Sequence, residues 1–382
     1  MTMTMTEQAL MTPSTQARHP EKSSIMQIAR QYNVSPFRQL AQILDLQRKR
    51  NGICRTEYYS MGLFHPRLTA ARRREFVGKK GSAFLNSTMQ KKDDIGITKL
   101  ISDKLLLETL LTGLGLPTTR TQAILCPALR PCAKPNIRTL EQLRQFLHND
   151  AVFPIFSKPM IGRCASGYSL LLSFDDNRDT LRLADHKTVA LDDYFAEVMR
   201  DNPQGVLLQH AEKQHSDLSN ITGTTLGRVR IVTISGTEGP TTLYTVWKLP
   251  AAEGFSDKSQ DESGMIAEID HATGEVLQVR RGLAAGNAMI RTHPESQRSL
   301  TDINLPFAGT ISSIARQAHG LFPSLGIIGW DIGICDDGPV ILGADVNPDH
   351  TLYQRATGEG ILNERFTPEF EAVKSKVDAL TA

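Results

Sequence analysis

The stretch Ile328–Asn347, IGWDIGICDDGPVILGADVN, reads as two strands joined by a turn at Asp336-Asp337-Gly338. A three-residue hairpin loop commonly closes with glycine in the left-handed region. Such a loop pairs Cys335 with Pro339, and therefore Asp331 with Gly343. Side chains alternate between faces along a strand. One face then carries Asp331, Gly333, Gly343, Asp345 and Asn347. The other carries Trp330, Ile332, Ile334, Val340, Leu342, Ala344 and Val346, a continuous core stripe. A two-residue loop would move Asp331 to the face opposite Asp345. The pairing of Asp331 with Gly343 is therefore a refutable expectation. Two carboxylates and an amide oxygen on one small-residue face suit Mg2+, which takes a few carboxylates together with phosphate oxygens and water. A solvated polar strand face accounts for the same alternation.

This hairpin lies near the end of a 382-residue chain, long enough for two or three packed domains. Hydrophobic residues at 40% and charged residues at 22% are ordinary for a globular protein. A net charge of +2 creates no strong field, so neither nucleic acid nor a membrane surface is an expected partner. The five cysteines show no CxxC and no paired zinc-ligand spacing, which fits a reducing cytoplasm. Cys126 and Cys132 are close enough in sequence to bridge, but cytosolic disulfides are rare. The start, MTMTMTEQALMTPSTQ, lacks the basic and apolar segments of a signal peptide. No apolar run approaches the roughly 20 residues that span a bilayer. The expected location is cytoplasmic.

Composition divides the chain into a loose tail (1–22), a helical polar region (23–98), an α+β region (99–212) and a strand-rich region (213–382). Arg72-Arg73-Arg74 and Lys79-Lys80 in the helical region read as a solvated face or, alternatively, a phosphate-facing one. The third region opens with a helix over Lys99–Leu114, stopped by Gly115 and Pro117. Strands follow at Gln122–Cys126, Val152–Lys158, Tyr168–Leu172 and Gly205–His210, with a helix at Leu140–Leu147. Beyond it, hairpins are expected at Arg228–Ser235 with Thr242–Leu249, and at Met265–Ile269 with Glu275–Arg280. A helix over Phe307–Leu321 precedes the metal-suited hairpin.

Several residues upstream are suited to a nucleotide. Lys158 ends a strand, and the loop behind it contains Gly162 and Gly167, whose backbone could approach phosphates. Lys104 opens a helix of the same region. The apolar strand around Leu208, Gln209, His210 and Ala211 runs into polar residues and could present backbone groups to a base edge. Asp217 follows and could accept from ribose hydroxyls. Arg230 sits inside the apolar strand Arg228–Ile234, where an arginine needs a partner, and phosphate is one.

These pieces, in this order, resemble the ATP-grasp superfamily, and most closely its sugar-transfer-associated group, related to alpha-L-glutamate ligase-like proteins. The resemblance spans about Ser102 to Glu359. It is carried by SDKLLLETLLTGLGLPT, FSKPMIGRCASG, VLLQHAEKQHSD, TLGRVRIVT and GWDIGICDDGPVILGADVNPDH. It implies an α+β fold of two subdomains clamping ATP, here with a helical N-terminal region in place of a larger first domain. It implies that Lys104 and Lys158 hold the α- and β-phosphates, with Gly162 and Gly167 in the phosphate loop. Leu208–Ala211 would flank adenine, and Asp217 would bind ribose. Arg230 would stabilise the transferred phosphoryl group, while Asp331, Asp345 and Asn347 ligate Mg2+. Asp345 stands where the family more often has glutamate, and its shorter reach puts a bridge between two metals in question. The implied reaction is ATP-dependent carboxylate–amine ligation through an acyl phosphate. The alternatives are a small-molecule kinase and a nucleotide-binding regulatory protein with a weakened site. Lys248, Arg291, His293 and Arg355 are the substrate-side candidates, Arg355 for a carboxylate. The N-terminal region is read as shaping specificity or pairing two copies into a homodimer.

Overall fold

The computed structural model describes residues 23–47, 50–91, 95–130, 132–162, 168–184, 187–250, 264–282 and 288–379. The expected tail, Cys164 and Gly167 lie outside them. Contacts divide the chain into two compact units, one formed by Ser102–Glu212 and the other by the described residues up to Ile101 together with those from Lys213 onward. The helical N-terminal stretch is thus part of the second unit.

In the first unit, a seven-stranded sheet runs in the order Asn136–Ile137, Thr121–Leu125, Val206–His210, Ile155–Pro159, Ser169–Asp175, Thr180–Leu183 and Thr188–Ala190. Both of its faces are covered, which is why its inner strands read as continuous apolar runs. Leu143, Phe146 and Leu147 of one helix and Leu191, Tyr194 and Val198 of another pack with Ala123, Leu125, Ile155, Val206 and Leu208. On the other face Leu105 packs with Ile124, Met160 and Leu207. The helix expected over Lys99–Leu114 is two helices, Ile95–Ser102 and Lys104–Gly113. Asp103 separates them. Its backbone is extended, and its carboxylate accepts from the N–H groups of Leu105 and Leu106 at 3.1 and 3.2 Å, an N-cap that starts a new helix.

The second unit is built on another seven-stranded sheet, in the order Ala288–Ile290, Val276–Arg281, Met265–Ile269, Gly239–Leu249, Arg228–Gly236, Ile327–Cys335 and Gly338–Asp345. Behind it lies the helix Ala308–Gly320. There His319 Nε2 donates to the Leu325 carbonyl at 2.7 Å, so its Nδ1 accepts from the Thr233 hydroxyl, also at 2.7 Å. The Thr233 oxygen in turn accepts from the Trp330 indole at 3.1 Å. In front, Val232, Tyr244, Val246 and Ile266 pack against Leu352, Tyr353, Phe366, Phe370 and Val373. Val77 and Met89 of the N-terminal stretch belong to the same cluster. The buried Gln354 clips that stretch in place: its Oε1 accepts from the Val77 N–H at 2.8 Å, and its Nε2 donates to the Val77 carbonyl at 2.6 Å.

Two histidines of this unit, His319 and His350, are fully buried, and burial pushes both down to about 4. Each is therefore neutral in the fold but binds a proton in the unfolded chain below its ordinary pKa. Their contribution is complete above about pH 6.5 and is lost as pH falls toward 4, on the order of 3 kcal/mol for each. The urea midpoint followed by tryptophan fluorescence should fall steeply between pH 6.5 and 4.5. A flat midpoint would contradict this account.

The hairpin pairs Asp331 with Gly343, as expected, but not by the expected loop. Cys335 pairs with Gly338, leaving a two-residue turn at Asp336-Asp337. A β-bulge then restores the alignment: Ile332 faces Ile341, Asp331 faces Gly343, and Leu342 is the extra residue. Asp331 and Asp345 consequently share a face despite the shorter turn. The bulge also corrects the core stripe. Ile341 and Pro339 are buried, whereas Val340 and Leu342 are only partly so. Cys126 and Cys132 are free thiols.

Candidate active site

In the first unit the two lysines lie on the sheet face covered by the helix Lys104–Gly113. Lys158 pairs with Leu207 and shares its face with Phe156 and Gln209. Its side chain is buried. Lys104 is the first residue of the helix, and its backbone N–H donates to the Met160 carbonyl at 3.1 Å. Its ammonium donates to the carbonyls of Pro159 and Gly162, both at 2.9 Å. It therefore ties the end of the Lys158 strand to the start of the glycine loop. Gly162 has φ +113°, a conformation that favours glycine. Burial outweighs the nearby charge of Asp103 and lowers Lys104 to about 8.

The hinge segment starts with two side chains turned into the fold. Leu208 is a core residue of the central strand. Gln209 is also buried, and its Nε2 donates to Glu108 Oε2 at 2.6 Å and to the hydroxyls of Thr119 and Thr121 at 3.0 Å. The N–H groups of His210 and Ala211 donate to the carbonyls of Arg120 and Pro154 at 3.0 and 3.2 Å. Burial, with Arg120 and Lys134 nearby, pushes His210 below the usual histidine range. Glu108 is the residue that sequence reasoning missed here. Its only signal is a lone carboxylate in the apolar run KLLLETLL.

In the second unit Arg230 and Asp331 are direct cross-strand partners. Nε and Nη2 of the guanidinium each donate to one Asp331 oxygen at 2.8 Å. Nη1 lies 3.8 Å from Asp345 Oδ2. Gly329, opposite Asp345, leaves room for this: a Cβ there would lie 3.0 Å from Pro348 and 3.2 Å from Arg230 Nη1. Lys248 pairs with Arg228 on the same face, and both charges act on Asp331. Burial pushes the Asp331 carboxyl up, but Arg230, Lys248 and Arg228 together hold it well below the usual carboxylate range. Asn347 follows Asp345 closely, and its N–H donates to Asp345 Oδ1 at 2.9 Å. Its Oδ1 accepts from Asn86 Nδ2 at 2.7 Å. Arg355 is buried in the helix Thr351–Thr357, its Nη2 donating to the Gly282 carbonyl at 3.4 Å. Burial, opposed by Asp349, lowers it to about 10.

Three expected residues are elsewhere. Arg291 is exposed beyond the edge strand Ala288–Ile290, five strand spacings from Ile327–Cys335. At about 4.8 Å per spacing that is roughly 24 Å. His293 is buried in a turn, its Nδ1 accepting from the Ser296 N–H and its Nε2 donating to the Pro250 carbonyl. Both ring nitrogens are engaged, Nδ1 within the turn and Nε2 at the residue that follows the strand Gly239–Leu249. Asp217 is exposed at the start of the short helix Ser216–Thr222, which is attached to Asp336. It lies by the turn of the hairpin, some five residues or roughly 17 Å along the strand from Asp331.

The donor set suits a hard cation. Asp331 and Asp345 both turn to the one guanidinium of Arg230, so their oxygens converge, and the Asn347 amide oxygen is the next donor along the loop. Among the described residues, no three His, Cys, Asp or Glu side chains group closely enough to hold a metal by themselves. No helix among them is long and apolar enough to cross a membrane.

Residues 86–369 match the sugar-transfer-associated ATP-grasp family, and the chain belongs to it. No curated protein matches the sequence. Among solved structures it is similar to N5-carboxyaminoimidazole synthase from Aspergillus clavatus, at 11% identity over 73% of this chain and 53% of that one, TM-score 0.42. It is also similar to D-alanine-D-alanine ligase from Coxiella burnetii, at 12% identity over 74% and 59%, TM-score 0.40. The ligase of the same name from Bacillus anthracis aligns at 14% identity over 81% and 82%, TM-score 0.42. The chain thus spans a little over half the length of the first two. Family membership rests on the match over residues 86–369 and not on these distant neighbours.

Proposed function

We propose that this chain is an ATP-dependent carboxylate–amine ligase, forming ADP and an amide or peptide bond through an acyl phosphate of a small acid or amino acid. The observation that carries the reading is the convergence of Asp331 and Asp345 on the buried Arg230, in a chain of the ATP-grasp family. Asp331, Asp345 and Asn347 would hold Mg2+, Lys104 and Lys158 the phosphates. When bound, ATP with Mg2+ supplies the phosphoryl group and neutralises its charge. Arg230 is held ready by its two carboxylate partners and would cover charge developing on the transferred group. Lys248 and Arg228 add positive charge on the same face, suited to a substrate carboxylate. The test is ADP release with pooled acids and amines, sugar acids and amino sugars included because of the family's description. Amide products with acid and amine both required would support the reading. A phosphorylated alcohol as the only product would replace it with a kinase, and ATP binding without turnover with a regulatory protein.

The lowered Lys104 adds a pH test. Its ammonium is charged below about 8 and loses the proton above it. ADP affinity should fall between pH 7.5 and 9.5, by up to about tenfold per pH unit once above 8. The Lys104→Met chain should bind more weakly at pH 7 and show no such slope. Calorimetric titrations across this range decide it, and an unchanged slope in the variant would refute the assignment.

A further inference from the structure

The loop after Asp345 is held from the N-terminal stretch. Asn86, at the end of the helix Lys79–Ser87, is 1% exposed. Its Nδ2 donates to Asn347 Oδ1 at 2.7 Å and to the Pro348 carbonyl at 2.9 Å. Pro348 is a backbone acceptor, which fixes the orientation of the Asn86 amide. Asn86 Oδ1 must then accept, and it does so from His350 Nε2 at 2.9 Å. That in turn makes His350 Nδ1 the acceptor of the Tyr244 hydroxyl, also at 2.9 Å. Tyr244 is anchored in the sheet beside Arg230. Every polar atom of the chain from Tyr244 to Asn347 thus has one assigned direction. Gln90 reinforces it by donating to the Val346 carbonyl, as does the Gly326 N–H to the Met89 carbonyl at 2.9 Å.

We propose that Asn86 is a positioning residue of the metal site: its amide fixes the Asn347 oxygen toward the divalent cation. This rests on reading Asn347 as a ligand. An amide oxygen has two lone pairs, and Asn86 engages one of them, so the other can serve a second partner. A free asparagine side chain on a loop would sample several rotamers and spend much of its time turned away. The helical N-terminal stretch is, on this account, part of the catalytic apparatus and not only a scaffold. Partners that orient metal ligands are typically worth 10–100-fold in metal affinity.

The test is Mn2+ binding to the full chain at saturating ADP, followed by water-proton relaxation. Asn86→Ala and Asn347→Ala should each weaken Mn2+ by about tenfold or more, with metal-free ADP binding unchanged. The double variant should be no weaker than Asn347→Ala alone. A further loss of the same size in the double variant, or full affinity in Asn86→Ala, overturns the proposal. If Asn347→Ala itself binds Mn2+ as tightly as the parent, the reading of Asn347 as ligand fails, and the proposal with it. Should the alanine variant not fold, Asn86→Asp keeps the volume and the acceptor for His350 but removes the donor to Asn347. Native tryptophan fluorescence with parental Mn2+ affinity in that variant would likewise overturn the proposal.

Discussion

Asp331→Ala is expected to abolish nucleotide turnover and to destabilise the second unit by about 3–5 kcal/mol, the usual cost of leaving a buried charge without its partner. Arg230 would keep only Asp345, which is 3.8 Å away and not in the bidentate geometry. Two controls separate the effects. Arg230→Met added to Asp331→Ala should recover much of the stability, since no buried cation is then stranded, while turnover stays absent. Asp331→Asn should fall between the parent and Asp331→Ala in stability, because its amide oxygen still accepts from the guanidinium. The pH dependence has a definite sign. Burial raises Asp331, but Arg230, Lys248 and Arg228 hold it below the usual carboxylate range. A group depressed in the fold contributes fully above its unfolded pKa, about 3.9, and loses its contribution only as pH falls through the folded value. The cost of Asp331→Ala should therefore be constant from pH 6 to 8. Both tryptophans, Trp247 and Trp330, lie in the second unit, so their fluorescence in urea reports this cost directly. A cost below 1 kcal/mol would show that Arg230 finds another partner.

The Asp331 pairing was legible because period-two alternation is strong wherever one strand face is buried. Its route was not. A two-residue turn and a one-residue bulge shift the register in opposite senses, and their effects cancel at Asp331. Leu342, the bulged residue, is apolar like its neighbours, so the sequence carries no mark of it. The break at Asp103 escaped notice for a similar reason. Apolar residues continue at helical spacing across it, and only the capping chemistry of one aspartate divides the run. Arg291 and His293 were misplaced because strand order is invisible along the chain. They follow a strand that proves to be the far edge of the sheet. Asn86, His350 and Glu108 carry no pattern at all. Each is a single polar residue whose meaning comes from a partner 13 to 264 positions away.

Glu108→Ala is the second large effect expected, and it belongs to the first unit. The Thr121–Leu125 and Val206–His210 strands slip register between Thr121 and Ala123. At that irregularity the Thr121 N–H leaves the ladder and donates to Glu108 Oε1 at 2.7 Å. The Thr121 hydroxyl and Gln209 Nε2 both donate to Glu108 Oε2 at 2.6 Å. Alanine would leave these donors buried with no carboxylate to receive them. Hydrogen bonds to a charged group contribute about 1.5–3 kcal/mol each and do not add fully, so the loss should be about 3–5 kcal/mol. That is a large share of the roughly 5–15 kcal/mol by which a domain is stable. Glu108→Gln should lose less, since its one oxygen can serve some donors but its amide nitrogen meets the others as a second donor. Because the first unit contains neither tryptophan, the signature is a split: the far-UV circular dichroism transition should move to lower urea while tryptophan fluorescence keeps its midpoint. Nucleotide affinity should fall with it, because Gln209 and the following hinge residues lose their anchor to the helix that begins at Lys104. A coincident shift of both probes would show that the two units unfold as one, and an unmoved dichroism transition would show that water replaces the carboxylate at no cost.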